Sequence, residues 1–121
     1  MDTIAPRPLT QHEIDIVREA LKVALVPSLA TAPPFSPESM RVVCRCPCGC
    51  ASVGFVPEDK EVALNATLLA DADASTPTGQ PVGVIIWGTP DKVTGLEVHW
   101  WLAEGAPLPT AGTLRARAAD A

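Results

Sequence analysis

The chain has 121 residues, 47% of them hydrophobic and 19% charged, with a formal net charge of −5. That length suits a single domain with its own core, and the apolar content excludes a disordered chain. The nine Lys and Arg residues are scattered, which argues against nucleic acid or an anionic membrane as partner, because both need clustered basic side chains.

No apolar run approaches the length needed to cross a bilayer. The N-terminus "MDTIAPRPLTQHE" lacks a basic region followed by an apolar one, so no secretory signal is expected. The expectation is a cytoplasmic protein, in a compartment where disulfides are rare.

The first predicted element is a helix in "LTQHEIDIVREALKVALVP". Thr10 and Glu13 have capping-box spacing, and Leu9 can staple onto Ile14 across the cap. Ile14, Val17, Leu21, Ala24 and Leu25 make one apolar stripe, and Pro27 ends it. Four prolines between Pro27 and Pro37 then predict an extended, partly rigid crossing loop, with Phe35 as its anchor.

From Met40 the period changes to two. Val42, Cys44 and Cys46 alternate with Arg41, Val43 and Arg45; Ala51, Val53 and Phe55 follow after a tip. Val62, Leu64, Ala66 and Leu68 form the apolar side of a third strand, Val82, Val84 and Ile86 that of a fourth, and Leu96, Val98, Trp100 and Leu102 that of a fifth. Short connections between successive strands favour an antiparallel meander. The predicted fold is therefore α+β and two-layered, with one N-terminal amphipathic helix packed on a meander of about five strands. Residues 1–103 form this domain, and 104–121 form a mobile or loosely docked tail.

All four cysteines, Cys44, Cys46, Cys48 and Cys50, stand at alternate positions around the first hairpin tip. Matching the apolar faces places Cys46 opposite Ala51, Cys44 opposite Val53 and Val42 opposite Phe55, with a four-residue loop. Cys44 and Cys46 then face the core, and Cys48 and Cys50 occupy the tip. A tetrahedral zinc site needs sulfurs about 3.8 Å apart, whereas alternate residues of an extended strand are roughly 6.6 Å apart. Four thiolates from seven residues would have to wrap the backbone around the ion. "CPCG" is similar to the zinc-knuckle "CPxCG" of rubredoxin-like and zinc-ribbon proteins but is one residue short. Zinc held by these four cysteines, thiols carrying no metal, and a disulfide or redox role all remain open. Thioredoxin-type activation has no support, since the spacing is C-x-C and no helix follows.

Elsewhere, His12 lies in the first helical turn, where it reads as a solvated surface residue. His99 and Glu97 share one side of a strand as a surface contact. "DADAS", Asp71 to Ser75, lacks an EF-hand continuation and reads as a polar turn. No nucleophile elbow or phosphate-cradling loop is present, so no catalytic activity is expected. Ile85, Trp87 and Trp101 fall on the sheet face away from the helix, with His99 and Glu97 at the edge. Such a patch marks partner binding or self-association unless the proline-rich loop or the tail lies over it.

Leu9-Thr10 on the helix, Cys46-Pro47-Cys48-Gly49-Cys50-Ala51-Ser52-Val53 at the hairpin, and Leu96 to Trp100 on the last strand together resemble a layout found in small uncharacterised bacterial proteins grouped as domains of unknown function. The resemblance spans most of the folded part and carries no activity to transfer. The functional expectation is a non-catalytic protein that binds a protein partner or a second copy of itself through Ile85, Trp87, His99 and Trp101. A zinc-binding protein and a thiol redox protein are the alternatives.

Overall fold

A computed structural model describes residues 2–47, 50–57, 66–100 and 105–117. One helix, α1 (Gln11–Val23), packs on a seven-stranded sheet made of β1 (Asp2–Arg7), β2 (Met40–Arg45), β3 (Val53–Pro57), β4 (Thr67–Ser75), β5 (Pro81–Thr89), β6 (Lys92–His99) and β7 (Arg115–Ala116). The sheet order is β1-β2-β3-β6-β5-β4-β7, and every pairing is antiparallel.

The α+β class and the single covering helix match the sequence. The strand count does not: seven strands replace the expected five or so, because β1 and β7 add an edge on each side. The simple meander is also corrected. β4, β5 and β6 are consecutive, but β3 pairs with β6 and not with β4. "DADAS" is not a turn; it is the second half of β4, with its alanines inward. Within the proposed third strand, residues 61–65 lie outside the described residues.

Helix α1 begins as its sequence dictates. Thr10 caps it, its hydroxyl accepting from Glu13 N–H at 3.1 Å while the Glu13 carboxylate accepts from Thr10 N–H at 2.9 Å. Arg7, at the end of β1, adds a two-pronged ion pair to the same carboxylate at 2.8 and 2.9 Å. Ile16, Val17, Ala20 and Leu21 are buried against the sheet. Each large aliphatic side chain so buried contributes about 1.5–3 kcal/mol. Ala70, Ala72 and Ala74 of β4 are fully buried beneath the helix, and their small side chains let it approach closely.

The rest of this inner face is filled by Val42, Val53, Phe55, Val84, Ile86, Leu96 and Val98. Phe35, in the proline-rich loop, packs its ring at a tilt against Phe55 with 6.1 Å between centroids. The loop is thus anchored on the helix side of the sheet. Ala106, Pro109 and Leu114, in the segment expected to form a loose tail, are buried. His12, expected as a solvated surface residue, is exposed, and its Nε2 also lies 2.7 Å from the Pro109 carbonyl in a hydrogen bond that ties α1 to that segment.

Candidate functional site: the helix-free sheet face

The outer face follows from the registers of β4, β5 and β6. Because cross-strand partners point to the same side, three rows of side chains stand together: Asp73, Gly83 and His99; Asp71, Ile85 and Glu97; Leu68, Trp87 and Gly95. The third row continues through Gly54 of β3 to Cys44 of β2 and Thr3 of β1. Sequence reasoning placed Ile85, Trp87, Glu97 and His99 on this face, and the register brings them together. Trp101 lies outside the described residues.

Ile85 and Trp87 are half-buried, not fully exposed. Leu68, at 37% relative exposure, is the large apolar side chain most open to solvent among the described residues. Simple alternation sends Leu68 inward. A bulge between Leu68 and Ala70 adds one residue to β4, so Leu69 and Ala70 both face the core and Leu68 turns out beside Trp87.

A second bulge, at Val43, corrects the cysteine hairpin. Val42 pairs with Phe55 as expected, but Cys44 then pairs with Gly54 and Arg45 with Val53. Cys44 therefore faces away from Phe55 and Val53, on the outer side, and not into the core. Its Sγ lies where a Cβ on residue 54 would stand, so any side chain there would have to displace the thiol. Cys46 aligns with Ser52, not Ala51, through the 3.1 Å bond from Cys46 N–H to the Ser52 carbonyl. Cys44 is buried, Cys46 and Cys50 are partly exposed, and Cys48 lies outside the described residues. Among the described residues no three His, Cys, Asp or Glu side chains converge as a metal site.

Sequence reasoning missed Ser52. It is 4% exposed. Its hydroxyl accepts from Val98 N–H at 2.8 Å, donates to the Val98 carbonyl at 3.1 Å, and accepts from the Cys50 thiol at 3.1 Å. A side chain thus stands in for main-chain pairing where β3 leaves β6, and it links the thiol hairpin to the strand carrying Glu97 and His99.

Arg117, just past β7, was also missed. Its guanidinium reaches Asp71 and Asp73 at 3.4 Å each. The imidazole of His99 lies on the bare backbone of Gly83, with Cε1 and Nε2 each 2.4 Å from a virtual Cβ there, and Arg117 Nη2 is 3.0 Å from the same point. No short-range motif signals this, because the three elements involved are far apart in sequence. Among the described residues no helix is long and apolar enough to cross a membrane.

The face therefore has an ionic end, a central apolar patch and, beyond two glycines, a thiol end. An apolar strip between polar ends can take up a partner chain. Comparison with protein-family models, curated proteins and solved structures gives no match.

Proposed function

We propose that this is a non-catalytic cytosolic protein that works by binding a polypeptide partner, or a second copy of itself, through the helix-free sheet face. The observation that carries this reading is the alignment of Leu68, Ile85 and Trp87 on a face that α1 and the Phe35 loop do not cover. Apolar patches rimmed by charge favour association over solvation. The test compares wild type with the double substitution Ile85→Ser and Trp87→Ser, both verified as folded by circular dichroism. Light scattering and affinity capture should show loss of self-association or of the captured partner. Identical behaviour of the two proteins removes the reading.

A second reading is zinc binding by Cys44, Cys46, Cys48 and Cys50. What supports it is the alternate spacing, which keeps Cys44 and Cys46 on one side of the strand, and the Cys46 N–H bond to the Ser52 carbonyl, which sets Cys46 against the hairpin arm that carries Cys50. Thiolate is the preferred soft donor for such an ion. Elemental analysis of protein purified without chelator should find about one zinc per chain, lost in Cys46→Ser. Protein without metal that keeps its fold eliminates this reading.

A further inference from the structure

Among the described residues, the helix-free face of β4, β5 and β6 carries the carboxylates Asp71, Asp73 and Glu97, and they are not equivalent. Asp71 and Asp73 share Arg117. Glu97 is half-buried and has no hydrogen-bond or ion-pair partner among the described residues. It stands opposite Ile85 on one side, and on the other lies Ser52, whose hydroxyl is already committed to Val98 and Cys50. A carboxylate in such surroundings gains more from a cation than one in free water does.

An aromatic residue stands diagonally across from it. Trp87 and Glu97 are diagonal neighbours on paired strands, a separation of about 7–8 Å that long side chains span easily. Gly95 opposite Trp87 has no side chain, and the indole leans over that vacancy, its Cβ and Cδ1 at 3.5 and 3.9 Å from the position a Cβ would take. The ring is thereby inclined toward β6, the strand that carries Glu97. Ile85 and Leu68 supply an apolar strip alongside.

We propose that the occupant of this face is a polypeptide segment presenting a Lys or Arg side chain, with its aliphatic stem on Ile85 and Trp87 and its charge at Glu97. This rests on the binding role assigned to the face above and adds the chemistry of the partner. An indole and a carboxylate together recognise a cation through both the ring quadrupole and charge. A long basic side chain suits an open sheet face better than a compact ammonium ion does, because its stem needs an apolar track. The chain's net charge of −5 favours approach of a basic partner.

The probe is a short acetylated, amidated peptide of alternating Gly and Lys, titrated into the full chain while the Trp87 indole N–H is followed by NMR and assigned with Trp87→Phe. Saturable movement of that signal is expected, weakened by added salt and by about tenfold in Glu97→Gln, the scale of one partly buried charge contact. Asp91→Asn, in the β5–β6 turn, should change nothing. A Glu97→Gln protein that binds the Lys peptide as tightly as wild type overturns the cation proposal. So does a Gly/Glu peptide that moves the Trp87 signal as strongly, or a Lys peptide that never moves it. None of these results touches the binding role of the face itself, which stands or falls on the Ile85 and Trp87 substitutions.

Discussion

Cys44 and Trp87 stand in one cross-strand row, separated only by Gly54 and Gly95, so a buried thiol and an indole look at each other along a strip of bare backbone. Three strand spacings separate them, about 14 Å. Both side chains lean over the adjacent glycine, Cys44 onto Gly54 and Trp87 onto Gly95. The two features that stand out in the sequence, the cysteine hairpin and the tryptophan patch, are therefore two ends of one surface.

Glycine substitutions along and beside this row should rank by what a new methyl meets. At Gly88 it would lie 2.2 Å from the Lys92 carbonyl oxygen, which is main chain and cannot step aside. Gly88→Ala should cost at least about 1–3 kcal/mol, the usual range for overpacking. Gly54→Ala meets the Cys44 thiol and should cost less, and adding Cys44→Ala to it should recover most of the loss. Gly95→Ala makes only ordinary contacts and should stay within about 0.5 kcal/mol of wild type. Urea unfolding of the four proteins measures the order; a Gly95→Ala variant as unstable as Gly88→Ala would contradict the packing described.

Removing the Ser52 hydroxyl should expose the weakness of the β3–β6 seam. Ser52→Ala leaves both polar groups of Val98 without their side-chain partner in a buried site, and a single unsatisfied group costs about 1–3 kcal/mol. Cys50→Ala removes a weak donor to that hydroxyl but neither bond to Val98, and should cost less than Ser52→Ala. Hydrogen exchange at Val98 N–H should accelerate in Ser52→Ala and stay slow in Cys50→Ala. Equal exchange in both would show that the hydroxyl is not what holds the strands together there.

Acid should loosen the start of the helix through Glu13. Burial alone pushes its carboxyl upward, but the hydrogen bond from Arg7, the bond from Thr10 N–H and the Arg7 charge outweigh it and hold the group below its ordinary value. A carboxyl whose pKa is lowered by folding stabilises the native state above its unfolded pKa and loses that contribution as pH falls through the lowered value. Wild-type stability should thus fall on acidification in that range, and Glu13→Gln should be less stable near neutrality with a flatter acid limb. Arg7→Ala, which leaves the carboxylate nearly buried beside the cap alone, should cost about 1–3 kcal/mol at neutral pH. Denaturation midpoints measured across the acid range decide this; parallel pH profiles for wild type and Glu13→Gln would refute it.

The elements written in local chemistry were legible. The Thr10–Glu13 box needs only four consecutive residues, and the alternation in β5 is unbroken from Val84 to Thr89, which by itself puts Ile85 and Trp87 on the outer face. Glu97 and His99 followed by the same rule. Each of these depends on contacts or periods contained within a single segment.

What only tertiary structure decided was parity and partnership. An extra residue at Val43 and another near Leu69 reverse the faces of Cys44 and Leu68, because a strand has a period of two and one insertion inverts everything beyond it. Whether such a bulge forms depends on packing against a neighbouring strand, which alternation in one segment does not encode. The pairing of β3 with β6, and the meeting of Arg117 with Asp71 and Asp73, join positions more than forty residues apart. These partners meet only once the strands are assembled into one sheet, so they are properties of the folded domain and not of any stretch of chain.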